Sequence, residues 1–254
     1  MWTLAAPPQW LPFLVVGSIF GIVATIIVST VMNKRRWRRE MNMRCTALGG
    51  TFIEKPQDHE KHEAFQTVGP WQKLQTGSRG VQWLATVPLS VLPHGTTSVR
   101  LLGHLYSTGS GKNRQVHIHT IAWIEAPRAW PILSVYGEHF MHRLADTLGL
   151  TERFGKKDLQ LDDAEFNKRY RVNCDDEDFA LMALTPQAQR WCLDLPKDKG
   201  QLRVDIGQGA VCVTMRRTPK PAELEQIARR VIEISDLIPH ELESFTPTPS
   251  APVA

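Results

Sequence analysis

Leu11 to Met32 reads LPFLVVGSIFGIVATIIVSTVM, a run of 22 residues without a charged side chain. As an α-helix rising 1.5 Å per residue, this run extends about 33 Å, against a bilayer hydrocarbon core of about 30 Å. Trp10 and Trp37 flank the run, and tryptophan is enriched at both membrane interfaces. The sequence therefore predicts a transmembrane helix over residues 11–33, preceded by a short extracytoplasmic segment, residues 1–10.

The charges beside this run predict its orientation. No Lys or Arg precedes it, whereas five follow it directly: Lys34, Arg35, Arg36, Arg38 and Arg39. By the positive-inside rule, we expect a single-pass protein of the cell membrane, with its N-terminus outside and its C-terminal domain in the cytoplasm. A cleaved signal peptide carries its basic residues before a shorter apolar stretch, so the order here argues against one. The same basic cluster is also suited to attract anionic lipid, at about 1 kcal/mol per residue near the surface.

A stripe of small residues runs along the predicted membrane helix. Gly17 and Gly21 form a G-x-x-x-G pair, and Thr25 continues the same face by one turn. Small residues let two helices approach closely, so this face is suited to pack against another membrane protein or against a second copy of the chain. The alternative is that glycine is simply frequent in membrane helices.

Charge and cysteine content restrict the class of protein. The formal net charge is +4 over 254 residues, but residues 34–44 carry six cations and one anion, a net of +5, which leaves 4 − 5 = −1 for the remainder. The predicted domain therefore has no overall basic character, and we expect no nucleic-acid partner. None of the four cysteines lies in a C-x-x-C pair, which fits free thiols in a reducing compartment, although an even count also permits two disulfides.

The rest of the chain predicts an α+β domain. Residues 34–50 form a basic juxtamembrane helix that continues the membrane helix and stops at a Gly-Gly pair. Within residues 51–244, two predicted β-hairpins are each followed by a segment of helical periodicity. The hairpins are Ser98–Ser107 with Arg114–Ile124 and Leu202–Ile206 with Ala210–Arg216, and the helices are Glu138–Leu148 and Glu223–Leu237. This order predicts a mainly antiparallel sheet with packed helices, and residues 245–254 form a disordered Pro-rich tail.

The segment E-F-N-K-R-Y-R-V, residues 165–172, alternates apolar and polar side chains and predicts a half-buried strand in which Asn167 bonds the neighbouring backbone. An acidic turn, an L-T-P helix start at residues 184–186, a G-x-G hairpin and a last amphipathic helix follow. Over Asp162–Pro239 this pattern resembles a group of bacterial membrane-anchored proteins with a cytoplasmic domain of unknown function. The resemblance implies the fold and the membrane setting, and it implies no activity.

Three histidines on the first hairpin are the one candidate metal site. His117 and His119 point to the same side of their strand. If the strands pair at positions that sum to 221, His104 lies opposite His117 and three imidazoles share one face, as an open metal site requires. Another register places His104 on the other face, and no carboxylate is positioned to orient the rings.

The sequence shows no catalytic constellation. G-x-S-x-G, G-x-x-x-x-G-K-[ST] and G-x-G-x-x-G are all missing, and Cys192 and Cys212 fit as small core residues. We therefore expect no enzyme and no cofactor. The first hypothesis is a membrane-tethered, non-catalytic accessory subunit or scaffold that acts through protein–protein contacts, and the alternative is a metal-binding enzyme or sensor using the histidine hairpin.

Overall fold

The computed structural model describes residues 11–68, 80–91, 95–108, 115–137, 159–195 and 202–246. These residues form one long N-terminal helix and an eight-stranded antiparallel sheet with packed helices, which confirms the predicted α+β class. The helices are α1 (Leu11–Ala47), α2 (Asp58–Thr67), α3 (Ala164–Arg169), α4 (Glu177–Ala183), α5 (Pro186–Asp194) and α6 (Leu224–Asp236), with short 3-10 turns at Pro221–Glu223 and His240–Ser244. The strands are β1 (Thr51–Glu54), β2 (Gly80–Val91), β3 (Gly95–Thr108), β4 (Gln115–Glu125), β5 (Leu133–Gly137), β6 (Tyr170–Cys174), β7 (Leu202–Gly207) and β8 (Ala210–Met215).

The sheet has the strand order β1-β2-β3-β4-β8-β7-β5-β6. Strands β1 to β4 follow each other as a meander, and the second hairpin, β7–β8, joins this meander by pairing β8 with β4. Strand β5 then pairs with both β7 and β6. Both predicted hairpins are therefore confirmed, and they belong to one sheet.

The turn of the second hairpin shows why two glycines flank Gln208. Gly207, Gln208 and Gly209 have φ values of 122°, 50° and 97°, a left-handed stretch that costs glycine little. A Cβ on Gly207 would also lie 2.1 Å from the carbonyl oxygen of Pro131. The G-x-G pattern therefore serves the backbone of a tight turn.

Two apolar layers lie on the two faces of the sheet. The larger layer packs beneath α6, whose fully or almost fully buried side chains recur every three or four residues: Leu224, Ile227, Ala228, Val231 and Ile234. The second layer lies under α2, where Phe65 and Val68 pack on Leu102, Ile121 and Trp123. We call these the helical face and the α2 face.

The strand predicted over Glu165–Val172 is wrong in its first half. Residues Ala164–Arg169 form helix α3, and β6 begins only at Tyr170. Asp163 caps the helix by accepting hydrogen bonds from the backbone N–H groups of Glu165 and Phe166, at 2.8 and 3.0 Å. Phe166 and Tyr170 are both buried, and a spacing of four places them on one side of a helix as well as on one side of a strand.

Several predicted segments lie wholly or partly outside the residues that the structure describes. The predicted helix Glu138–Leu148, the N-terminal residues 1–10 and the tail from residue 247 lie outside the described residues. The predicted tail begins too early, because Phe245 packs on Phe179 with ring centroids 5.1 Å apart. The predicted helix over Glu223–Leu237 is confirmed, within one residue at each end.

Candidate functional site

Helix α1 has an apolar first part that the rest of the described chain leaves uncovered. Ile19, Phe20 and Ile26 expose 55%, 71% and 59% of their surface. Among the described residues, α1 is the one helix long and apolar enough to cross a membrane. A contiguous apolar surface of this kind marks a membrane or protein contact.

Two residues of the predicted small-residue stripe, Gly21 and Thr25, lie on this uncovered part. Gly17 is within α1, and a Cβ added to Gly21 would meet nothing within 4 Å. The Thr25 hydroxyl donates to the carbonyl oxygen of Gly21 at 2.8 Å, so its polarity is satisfied within the helix. Both Gly21 and Thr25 are exposed and open to an approaching helix.

The second part of α1 is fixed to the folded domain by an aromatic cluster. Trp37 of α1 packs on Phe52 of β1 and Trp83 of β2, with ring centroids 6.1 and 5.9 Å away, and Phe52 and Trp83 lie 6.2 Å apart. One and two turns further on, Met41 and Cys45 are fully buried. We call these five residues the docking cluster.

Polar contacts fix the position of α1 along the domain. The Trp37 indole N–H donates to the carbonyl oxygen of Pro219 at 2.8 Å, and Arg44 pairs with Glu225 of α6 at 3.2 Å. A further ion pair joins Arg38 to Glu54 at the end of β1. These contacts join α1 to the segment before the 3-10 turn, to α6 and to the edge strand β1.

The docking cluster also explains a glycine in β3. A Cβ on Gly103 would lie 2.1 Å from the indole nitrogen of Trp83. Gly103 is directly opposite Trp83 in the β2–β3 register. Any larger residue would therefore displace the ring on which Trp37 packs.

We expect Trp37→Ala to loosen α1 from the domain. Truncation removes the packing on Phe52 and Trp83 and the hydrogen bond to Pro219, which together stabilise the docked state by about 2–3 kcal/mol. Amide hydrogen exchange of the full chain in detergent should show faster exchange over residues 38–47. Phe20→Ala removes an exposed aromatic ring from the same helix and should leave that exchange unchanged. Equal amide protection over residues 38–47 in Trp37→Ala and Phe20→Ala would contradict the docking.

The basic cluster predicted to set the orientation lies along α1, at the junction between its two parts. Lys34, Arg35 and Arg36 are exposed on the first turn after the apolar run, and Arg39 is exposed one turn later. Arg36 pairs with Glu40 at 2.7 Å, while Arg38 is engaged with Glu54. The structure therefore divides the cluster into cations held by neighbouring carboxylates and cations that face solvent.

The three candidate histidines do share the α2 face, although the strand register differs from the predicted sum of 221. His104 lies opposite His119, a sum of 223, and Tyr106 lies opposite His117. A shift of two residues preserves which side chains share a face, so the register is wrong by two and the shared face is retained. His104 and His119 are fully buried, and the ring of Phe65 from α2 meets His104 edge-on at 5.9 Å.

The surroundings of these rings do not favour a cation. Nη2 of Arg216 lies 3.0 Å from Nδ1 of His117, so a positive charge already lies beside this ring and would repel a metal ion. Within the described ranges, no group of three or more His, Cys, Asp or Glu side chains is arranged to hold a metal ion. Metal binding by His104, His117 and His119 stays a prediction without geometric support.

Burial keeps both central histidines neutral. It lowers the pKa of His104 to about 4. For His119, burial first and then the neighbouring His104, Arg216, Arg203 and His117 lower the pKa to about 3. Both rings are therefore uncharged near neutral pH, and protonating either one places a charge in an apolar layer.

Sequence reasoning missed a buried ion pair on the same face. Asp205 of β7 is fully buried, and one of its carboxylate oxygens accepts from Arg203 Nε at 2.7 Å and from the Ser134 hydroxyl at 2.6 Å. Arg203 Nη2 also donates to the Ser134 oxygen at 3.1 Å. The available signal was the alternation in L-R-V-D-I-G, which places Arg203 and Asp205 on one face of a strand whose other face is apolar.

The surroundings of Asn167 and of the cysteines indicate structural roles for these residues. The Asn167 side chain accepts from the backbone N–H of Leu161 at 3.0 Å and donates to the carbonyl oxygen of the same residue, so the predicted local backbone bond is confirmed, on α3 and not on a strand. All four cysteines are free, and Cys192 and Cys212 are buried as predicted. Burial raises the pKa of Cys45 and Cys174 to about 11 and of Cys192 to about 12, so these thiols stay protonated near neutral pH.

Fold and site together define an α+β domain packed against the second part of a long N-terminal helix whose first part is apolar. This fold is similar to one solved structure, the crystal structure of the mycobacterial trehalose monomycolate transport factor A, TtfA. The TM-score is 0.50 at 14% sequence identity, and the match covers 85% of this chain and 99% of that chain. At this identity the similarity concerns the fold. No protein-family model matches the chain, and no curated protein sequence does.

Proposed function

We propose that the chain is a membrane-tethered, non-catalytic accessory subunit of a transport assembly, and that it acts through protein–protein contacts. The observation that carries this proposal is α1 itself, a single helix with an uncovered apolar part and a basic part fixed to the domain. The uncovered part crosses the membrane with its N-terminus outside, since all five flanking cations follow it. The solved protein of similar fold is a transport factor, which supports transport as the setting.

The contacts with the domain leave one side of α1 open to a partner. Met41 and Cys45 face the domain, and each lies 20 residues beyond a residue of the small stripe, Gly21 and Thr25 respectively. At about 100° per residue, 20 residues amount to five full turns plus about 200°, so the stripe lies opposite to the docked side. A partner helix approaching Gly21 therefore meets no part of the chain's own domain.

The contacts with α1 hold the domain in a fixed orientation on the cytoplasmic side of the membrane. A tether that only localised the domain would need no aromatic cluster, no hydrogen bond to Pro219 and no ion pair to Glu225. An accessory subunit that presents one surface to a membrane partner requires a fixed orientation, because its membrane helix and its domain must bind together.

The proposal predicts that Gly21→Leu separates the chain from its partner while leaving the chain folded. Purified in mild detergent, the wild-type chain should retain a stoichiometric membrane partner or form a stable homo-oligomer. A Cβ at Gly21 meets no atom within 4 Å, whereas a leucine side chain there blocks close approach of a second helix, and we expect at least about a tenfold loss of the complex.

The matched control is Thr30→Leu, which adds a leucine nine residues further on, about 180° around the helix. Its hydroxyl only bonds the carbonyl oxygen of Ile26 in the same helix, so its loss leaves the complex intact. A wild-type chain that is a monodisperse monomer and retains nothing would contradict the proposal. Equal loss from both leucine variants would contradict the stripe as the contact face.

A further inference from the structure

The junction between α1 and the domain carries an exposed lysine, Lys220, that is not part of the basic cluster of α1. The Trp37–Pro219 hydrogen bond, 2.8 Å long, brings the segment before the 3-10 turn against α1. Lys220 follows Pro219 directly and is exposed. Lys34 lies three residues before Trp37, on the same side of α1 and one turn nearer the apolar part, and it is also exposed. The two lysines therefore flank one contact, one from each part of the chain.

The carboxylates near this junction are already engaged. Glu40 pairs with Arg36, Glu54 with Arg38, and Glu223 with Arg217. The hydrogen bond from Arg217 lowers the pKa of Glu223, with smaller contributions from the backbone N–H of Lys220 and from the charges of Arg217 and Lys220. Among the ion pairs of the described residues, none includes Lys34 or Lys220, nor Arg35 or Arg39. The charge left to solvent at the junction is positive.

The junction also lies at a defined height relative to a bilayer. The exposed apolar part of α1 ends at Met32, and Trp37 follows Asn33 by four residues, about 6 Å along the helix. The headgroup layer outside the hydrocarbon core is about 5–8 Å thick on each side. The Trp37–Pro219 contact, and Lys220 with it, therefore lies within or directly beneath the headgroup layer.

We infer that Lys34 and Lys220 together bind the headgroup of an anionic phospholipid at the membrane surface, an inference that rests on the proposed membrane anchoring. A headgroup phosphate is the anion that this height and this charge both select, and two ammonium groups from different parts of the chain can donate to it. Lipid bound there joins α1 to the domain and strengthens the docked orientation. Lys220 is the decisive residue, because it belongs to the folded domain and has no part in the positive-inside signal.

The test is a titration of the full chain, in neutral detergent, with phosphatidylglycerol, followed by the midpoint of thermal unfolding. Phosphatidylglycerol should raise the midpoint, because a ligand that binds the folded state stabilises it. Lys220→Ala should weaken the apparent affinity about fivefold, the effect of roughly one surface cation, and Lys34→Ala with Lys220→Ala should abolish most of the shift. Lys168→Ala removes an exposed lysine from α3 and should leave the titration unchanged.

Three results would overturn the inference: an unchanged titration for Lys220→Ala, an equal shift with phosphatidylcholine, or an equal shift with inorganic phosphate. The first would indicate that the linker cations bind lipid alone or that another acidic partner covers Lys220. Retention of each variant in carbonate-washed membranes is measured in parallel. A wild-type chain released by carbonate would contradict the anchoring, whereas a retained chain with an unchanged titration contradicts only the headgroup site.

Discussion

Asp205→Ala is expected to lower the free energy of unfolding by about 3–5 kcal/mol, because it leaves the buried guanidinium of Arg203 without its counter-charge. Asp205 is fully buried, and Arg203 is 5% exposed. The substitution also removes the acceptor of the Ser134 hydroxyl. Unfolding of the full chain in detergent, followed by circular dichroism at pH 7, measures the change.

Two further variants separate the cost of an unpaired charge from the value of the pair. Arg203→Met combined with Asp205→Leu replaces both partners by apolar side chains and should recover most of the loss, since buried ion pairs contribute little net stability. Glu243→Ala removes a carboxylate from the exposed 3-10 turn and should change stability by less than about 0.5 kcal/mol. A double variant as unstable as Asp205→Ala would show that charge imbalance is not the cause.

The elements that the sequence predicts correctly are those with local signals. The apolar run of α1, the glycine pair after it, the Pro at the start of α5 and the three- and four-residue spacing in α6 each lie within one segment. The sequence does not distinguish helix α3 from a strand, because Phe166 and Tyr170 fit both periods, and the cap at Asp163 decides between them. Here a local polar contact outweighs an alternating pattern.

The docking cluster could not be predicted, because its members come from separate segments. Trp37, Phe52 and Trp83 belong to α1, β1 and β2, and nothing in the spacing of 15 and 31 residues indicates contact. The cluster forms because β1 pairs with β2 and brings Phe52 beside Trp83 on the helical face. The glycine at 103 gives a signal only after the register is known.

The histidine face was predictable in part, since side-chain parity depends only on whether the register sum is odd. A sum of 221 or 223 places His104 on the face of His119, and the exact sum depends on the loop that joins β3 and β4. What the sequence could not indicate is the environment. Phe65 from α2 and Arg216 after β8 surround the rings and make the site apolar and cationic, which opposes a metal ion.

The same environment predicts that the fold loses stability in mild acid. In the unfolded chain a histidine titrates near 6.5, whereas the folded pKa values are about 4 for His104 and about 3 for His119. Between these values the unfolded state binds more protons, so stability is complete above pH 6.5 and falls as the pH decreases toward 4. The loss is roughly 3 kcal/mol for each ring by pH 4, a large fraction of a typical stability of about 5–15 kcal/mol.

Replacing both rings tests the assignment, because acid also titrates carboxylates throughout the chain. His104→Leu with His119→Leu removes the two buried bases and should flatten the decline in unfolding free energy between pH 7 and pH 4 by several kcal/mol. His59→Ala, an exposed histidine on α2, should follow the wild-type curve. A double variant with the wild-type pH slope would mean that the buried rings do not titrate on unfolding. Because the rings lie between α2 and the sheet, the first region to open in acid should be α2, measured as loss of amide protection over residues 58–67 before that of α6.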